Sequence, residues 1–232
     1  WLMPVYPIGV EGRKGSLGSY YSVRDYCAVD PCLGTMEDFD AFVAEAHRLG
    51  MKVLLDWIAN HTARDARWVT EKPASWYERD ASGAPAVPWD WTDTAKLNYA
   101  EREVWRAQGD AMEFWVREHG VDGFRCDMAM LVPIEFWNET AQRLRRVKPG
   151  LFMLAEAEET YLFDGGAFDA CYAWEMHHLM NDVAQQRVRV TSLRDYIYAD
   201  RRRYPRSAMR LAFTSNHDEN SWNGSEFARM GA

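Results

Sequence analysis

Three acids, one arginine and two histidines occupy comparable places along this chain: each closes or follows a short apolar run. The segments are Asp56-Trp57-Ile58-Ala59-Asn60-His61, Gly123-Phe124-Arg125-Cys126-Asp127, Leu154-Ala155-Glu156 and Phe213-Thr214-Ser215-Asn216-His217-Asp218. If the runs are parallel strands of one sheet, their ends bring Asp127, Glu156 and Asp218 to a common mouth. In a strand, side chains alternate faces, so Arg125 and Asp127 face one way and Cys126 the other. Arg125 would hold Asp127 ionised and aimed, as a nucleophile needs, although a purely structural Arg–Asp pair reads the same. Neighbouring strands lie about 4.8 Å apart. A nucleophile and an acid/base that cleave a glycosidic bond with retention stand about 5–5.5 Å apart. Adjacent strand ends supply that separation directly. Glu156, against Ala155 in an apolar run, is easier to keep protonated than Asp127 beside Arg125, which divides the two roles. Glu158 and Glu159 are competitors for the second role, and Glu156 is preferred because it comes first after the strand.

His217 and Asp218 could meet sugar hydroxyls through bonds that strengthen as the ring distorts. An Asn-His-Asp run is also ordinary capping chemistry, and Asn60-His61 is weak alone. The joint occurrence of the four segments carries the reading. The same atoms, His61, Asp127, Glu156, His217 and Asp218, could instead bind a metal and activate water. No His-x-His or His-Glu-x-x-His spacing accompanies them, and Arg125 would repel a cation. His177 and His178 stand in an apolar helical stretch, where packing is their expected use.

The elements that must position these groups alternate strand and helix. Thr35 caps a helix carrying Phe39, Phe42, Val43, Ala46 and Leu49 on its apolar face, ended by Gly50. Residues 52–58 read as a buried parallel strand. Residues 62–99 lose periodicity among Pro, Gly, Asp and Trp, the mark of a functional excursion. Helical spacing returns from Glu101 to Gly120. A short strand at Gly123, a helix opened by Pro133, a strand over 151–155, another over 170–172, helical stretches near 174–185 and 191–204 and a last strand at 211–213 follow. Such alternation implies a parallel α/β fold. Functional residues at successive strand ends favour a (β/α)8 barrel over an open sheet, and no Gly-x-Gly-x-x-Gly turn points to a dinucleotide.

The chain has 232 residues, 47% of them apolar, enough for a substantial core. Its net charge of −8 excludes a basic nucleic-acid surface. The one dense basic run, Arg201-Arg202-Arg203, suits the end of a helix. Trp57, Trp68, Trp76, Trp89 and Trp91 stand among turn-forming residues, where flat rings could stack on sugars or pack a loop core. The four cysteines have no zinc spacing; buried free thiols are expected, with a Cys27–Cys32 bridge as the lesser option. No apolar stretch is long enough to span a membrane, and localisation is not readable.

The four segments resemble the motifs of the α-amylase family, glycoside hydrolase family 13. Tyr20-Tyr21-Ser22-Val23-Arg24-Asp25-Tyr26 followed by Leu33-Gly34-Thr35 is similar to that family's segment after the second barrel strand, and Leu97-Asn98 falls where a further motif of its inserted domain lies. The resemblance implies an incomplete (β/α)8 TIM barrel covering strands two to seven. It divides the chain into barrel residues 1–61, a short inserted domain B at 62–99 after strand three, and barrel residues 100–232. It implies Asp127 as nucleophile, Glu156 as acid/base and Asp218 as transition-state stabiliser. Arg125 would orient Asp127, His61 and His217 would bind the sugar at the cleaved bond, Tyr21 would stack on it, and Asp56 would be structural. The implied activity is a retaining α-glycosidase or transglycosylase on α-linked glucosides, with an oligosaccharide or α-glucan as substrate. The alternatives are a glucosyltransferase or isomerase on sucrose- or trehalose-type disaccharides, and a non-catalytic binding protein of the same fold. Starch-degrading members usually carry Lys-His where Met130-Leu131 stands here, a departure from a plain endo-acting amylase. No cofactor is required by the resemblance; the family's calcium site often uses the asparagine that is Asn60 here, which makes calcium a candidate ligand. Strands one and eight and the usual C-terminal β-domain are expected outside this chain, and the open edges left behind predict poor solubility of the isolated piece.

Overall fold

The computed structural model describes residues 1–231. Its helices and strands follow from local signals that agree with one another. Helix α1 (Met36–Arg48) opens with a reciprocal cap, in which the Thr35 hydroxyl accepts from the Asp38 N–H and the Asp38 carboxylate accepts from the Thr35 N–H. Phe39, Val43 and Ala46 form its buried stripe, whereas Phe42 and Leu49, expected on that face, are exposed. Strand β1 (Leu54–Trp57) follows. Residues 62–99, patternless in sequence, contain ordered elements: β2 (His61–Ala63) pairs antiparallel with β3 (Thr94–Lys96), and α2 (Arg67–Glu71) lies between them. Trp76, Tyr77, Ala95 and Leu97 pack there as a small separate core against Val104 of the next helix.

The chain then alternates regularly through α3 (Arg102–Arg117), β4 (Gly123–Cys126), α4 (Ile134–Val147), β5 (Phe152–Ala155), β6 (Ala170–Tyr172), α5 (Trp174–Ala184), α6 (Thr191–Arg203) and β7 (Met209–Leu211). Two short helices end it, α7 (His217–Trp222) and α8 (Glu226–Met230). The last strand ends at Leu211, two residues before the sequence reading placed it. No helix among the described residues is long and apolar enough to cross a membrane.

The main sheet is parallel with order β1-β4-β5-β6-β7, and Leu2 adds one parallel bridge beside Leu55 of β1. Side-chain alternation separates two cores. Leu55, Trp57, Phe124, Cys126, Met153, Ala155 and Cys171 face the helices in one large cluster. Leu154, Ala170 and Tyr172 form a second cluster on the opposite face. That opposite face is concave. Leu2 and β6 are four strand spacings apart, about 19 Å across a flat sheet, yet the Trp1 and Tyr172 ring centroids are 6.2 Å apart. The sheet therefore curls into an incomplete barrel, and its second cluster is the barrel interior. Gly123 permits the tight approach of β4 to β5, since a Cβ there would lie 2.1 Å from the Phe152 carbonyl oxygen.

The cysteines divide. Cys126 and Cys171 are buried free thiols as expected; Cys27 and Cys32 are free but exposed, so neither burial nor the bridge applies to them. Trp57 follows the strand reading over 52–58 and not the loop one: it sits fully buried in β1 and donates its indole N–H to Gln108 at 2.8 Å.

Candidate active site

Register assembles the site. Asp56 lies opposite Arg125 across β1 and β4, and Arg125 opposite Leu154 across β4 and β5. The ladder runs one residue further: the Asp127 N–H donates to the Trp57 carbonyl at 2.9 Å, and the Glu156 N–H to the Cys126 carbonyl at 3.0 Å. With period-two alternation, Asp127 shares the side of Arg125 and Glu156 the side of Leu154, so three acids and one guanidinium meet on the interior face.

Arg125 has no exposed side-chain surface. Its Nη1 donates to Asp56 Oδ1 at 2.7 Å and to Asp127 Oδ1 at 2.9 Å, and Nε reaches the Tyr172 hydroxyl at 3.3 Å. Nη2 lies 2.7 Å from Glu156 Oε1, a charge contact whose direction is not that of a hydrogen bond. The aligned bond to Glu156 comes from the Met128 N–H, which donates to Oε2 at 2.9 Å. Met128 holds a left-handed conformation, φ 42°, unusual for a residue with a side chain, and this turn follows Asp127 immediately.

One guanidinium cannot neutralise three buried carboxylates. Burial pushes Glu156 up to about 8; Asp127 and Asp218 add to the rise, against Arg125 and the Met128 N–H. Burial also raises Asp56, opposed chiefly by Arg125. Asp56 accepts aligned bonds from both Arg125 at 2.7 Å and the Tyr21 hydroxyl at 3.1 Å. Glu156 has only the peptide N–H, so the proton the cluster must keep rests on Glu156.

The other predicted residues surround this cluster. The Tyr21 hydroxyl donates to Asp56 Oδ2 and lies 2.6 Å from His217 Nε2, and the Tyr21 ring stacks on His217 at 12°. Because that hydroxyl's proton goes to Asp56, His217 Nε2 is the donor in the second bond. The same nitrogen is 3.2 Å from Asp218 Oδ2. Asn216 caps α7 by accepting from the Glu219 N–H at 2.7 Å, so the capping use of this run and its place in the site coexist. His61 is buried and its pKa is lowered by that burial, leaving a neutral ring. Its Nε2 faces the Tyr21 carbonyl at 3.1 Å and so carries the proton, while Asn60 Nδ2 donates to Nδ1 at 3.3 Å. Both ring nitrogens are thus engaged inside the protein. Glu158 and Glu159, the competitors of Glu156, lie elsewhere: Glu158 pairs with Arg210 at 2.6 Å, and Glu159 accepts from the Glu158 N–H at 3.0 Å.

Asp127, Glu156 and Asp218 open onto a cleft of about 450 Å³ that Tyr21 and His61 also line, a volume within the range of small-molecule sites. Arg125 and His217 stand behind that surface and act on the acids and on Tyr21. Sequence reasoning missed the Met128 N–H, the Tyr172 hydroxyl, and the wall residues Lys14, Asp93 and Trp222. A backbone donor leaves no trace in residue type; Trp91, also on the wall, was visible only as one of several loop tryptophans. Among the described residues no group of three or more His, Cys, Asp or Glu is arranged to hold a metal. The Asn60 side-chain Nδ2 is spent on His61 Nδ1 at 3.3 Å, which leaves its Oδ1 as the one side-chain oxygen it could offer a calcium ion.

Comparison with known proteins agrees with this geometry. The family model "Alpha amylase, catalytic domain" matches residues 1–92 and 74–229. "Alpha-amylase 3" of Dictyoglomus thermophilum is 31% identical over 185 residues, covering 67% of this chain and 35% of its own length. An "Alpha-1,4-glucan:maltose-1-phosphate maltosyltransferase" of Arcanobacterium haemolyticum is 35% identical over 178 residues, 68% of this chain and 25% of that protein. The chain thus spans about a third or less of these curated relatives. Among solved structures, an α-amylase from Lactobacillus plantarum superposes with a TM-score of 0.88 at 35% identity, covering 94% of this chain and 55% of that one. A noncanonic maltogenic α-amylase from Thermotoga neapolitana gives 0.86 at 38% identity, over 94% and 51%. With the family model matching nearly all of this chain and the acid cluster at the barrel mouth, the chain belongs to the α-amylase catalytic-domain family.

Proposed function

We propose that the protein carrying this chain is a retaining enzyme acting on α-linked glucosides, with Asp127 as nucleophile and Glu156 as acid/base. The observation that carries this is the division of one buried cluster into an acid kept protonated and an acid held by a cation: Glu156 is pushed up to about 8, while Asp127 sits 2.9 Å from Arg125 Nη1.

In the first step Asp127 attacks the anomeric carbon as the Glu156 proton passes to the departing glycosidic oxygen, so the C–O bond breaks as the glycosyl–carboxylate bond forms. Esterification removes the charge of Asp127, and Asp56 remains paired to the same Arg125 Nη1. In the second step the ionised Glu156 takes a proton from the acceptor hydroxyl, which attacks the anomeric carbon and releases Asp127. Water as acceptor gives hydrolysis; a sugar hydroxyl gives transfer. Asp218, on the cleft wall with its Oδ2 3.2 Å from His217 Nε2, accepts from a sugar hydroxyl, a bond that strengthens as charge develops at the ring. His61 and Tyr21 offer ring surface to the sugar at the reacting bond, with His217 holding the Tyr21 hydroxyl in place.

Incubation of the full-length protein with an activated fluorosugar tests the assignment. A stable adduct on the peptide carrying Asp127 is expected, and an adduct on any other carboxylate overturns it.

A further inference from the structure

Asp218 stands on a segment that apolar packing does not fix. β7 ends at Leu211, and from there to Trp222 no residue is buried. Helix α7 is six residues long, too short to persist without neighbours. Polar ties must set its place. The Asn216 cap is one of them and holds the Glu219 peptide N–H.

His177 of α5 supplies the deepest tie. Its spacing pointed to packing, and the ring is indeed fully buried and stacked on Phe213, centroids 4.6 Å apart at 12°. Packing alone does not account for its nitrogens. Nδ1 faces the Phe213 carbonyl at 3.1 Å, and a carbonyl only accepts, so Nδ1 carries a proton and donates it. Nε2 lies 3.2 Å from Glu219 Oε2, on the residue directly after Asp218. One rigid ring thus grips the segment where it leaves the sheet and again beside the acid. Arg229 of α8 reinforces the first grip by donating to the Thr214 carbonyl at 2.8 Å, but stands 4.0 Å from the Glu219 carboxylate. His177 is therefore the closer of the two cationic-type side chains to Glu219.

We infer that His177 is a positioning residue for Asp218: by holding the Phe213 carbonyl and the Glu219 carboxylate, it sets where the Asp218 carboxylate meets the sugar. The inference rests on the role given to Asp218 above. A group that acts on the transition state affects kcat more than KM when it is displaced.

His177→Phe keeps a ring on Phe213 and removes both polar ties. In the full-length protein acting on α-glucosyl fluoride, its kcat is expected to fall about 10- to 100-fold, the cost of a displacement near 1 Å, with KM within about twofold. His177→Asn, which puts an amide nitrogen near the place of Nδ1, and His177→Gln, which puts one near Nε2, should each recover part of the loss. The decisive comparison is the same change made in Asp218→Asn. There His177→Phe should cost less than about twofold further, because the group it positions is gone. A purely structural histidine would give the same loss in both backgrounds, and that result, or a kcat within about twofold of wild type in His177→Phe, overturns the inference. Should His177→Phe not fold, Glu219→Gln takes its place in the same comparison with the same deciding outcomes, since it removes the charge that Nε2 meets and leaves the capped N–H. Wild-type protein inert to the fluoride, or Asp218→Asn as active as wild type, overturns the reading of Asp218 itself. An Asp218-dependent kcat that ignores His177 overturns this inference alone.

Discussion

Arg125→Met removes the cation at the centre of the acid cluster and keeps most of the side chain's volume. Asp56 Oδ1 lies 2.7 Å from Nη1 with both side chains fully buried. Without the guanidinium, the Asp56 carboxylate keeps the Tyr21 hydroxyl at 3.1 Å and no charge partner. Breaking a buried pair from one side costs about 3–5 kcal/mol, a large share of the roughly 5–15 kcal/mol that holds a domain. The cost is one of charge, so it has a pH signature. Burial already raises Asp56, and losing Arg125 raises it further. A carboxyl whose folded pKa lies above its unfolded value is stabilising while protonated, and that stability disappears as pH rises through the folded pKa. The gap between wild type and variant should therefore widen between about pH 5 and about pH 8. Urea unfolding followed by tryptophan fluorescence at the two pH values measures it. A gap under about 1 kcal/mol at the higher pH, or one that narrows as pH rises, would refute the view that a single buried cation holds this cluster.

Glu156→Gln should lower kcat by about 10²–10⁴-fold, the usual range for loss of a general acid, while oligosaccharide binding to the variant, read by calorimetry, persists. In the wild type the acid must be protonated for the first step, so kcat should fall as pH rises through the Glu156 value of about 8; a profile flat through that range contradicts the assignment. Gly123→Ala places a Cβ 2.1 Å from the Phe152 carbonyl oxygen and forces β4 from β5. A loss of about 1–3 kcal/mol or more is expected in urea unfolding, together with lost activity, because Asp127 and Glu156 hang from those two strands. Thr35→Ala removes the α1 cap, which should cost about 1 kcal/mol and leave kcat unchanged, since neither Thr35 nor Asp38 lines the cleft; a change in kcat would show the helix to be coupled to the site.

The strand-end acids were readable because each apolar run is local and its last residues have a fixed facing. Asp127 and Glu156 follow β4 and β5 by one residue, so period two alone settled their side. Asp218 was harder: β7 stops at Leu211, and the carboxylate stands in the first turn of α7, positioned by the Asn216 cap rather than by strand geometry. The β2–β3 pair was invisible, because three-residue strands about thirty residues apart carry no periodicity and find each other only through tertiary packing. The same limit explains the misplaced side chains. Phe42 and Leu49 satisfy helical spacing yet lie outside the arc that α1 buries, and Trp57 lies in a strand whose neighbours in sequence resemble a turn. Met128, the donor to Glu156, could not be found at all, since its contribution is a peptide N–H aimed by a left-handed turn.

One phenol has a bearing on how the molecule is made. The Tyr21 hydroxyl touches Asp56, 35 residues on, and His217, 196 residues on. Synthesis proceeds from the N-terminus, and strands close in sequence can pair while the rest of the polypeptide is still emerging. The Tyr21–His217 contact closes a loop of 196 residues, far wider than the loops between neighbouring strands, so it forms after those pairings. The mouth of the cleft is thus a late product of folding: a nascent chain that already holds β1, β4 and β5 in register still has no finished pocket, and a slow step before α7 would delay completion of the site without delaying the appearance of secondary structure.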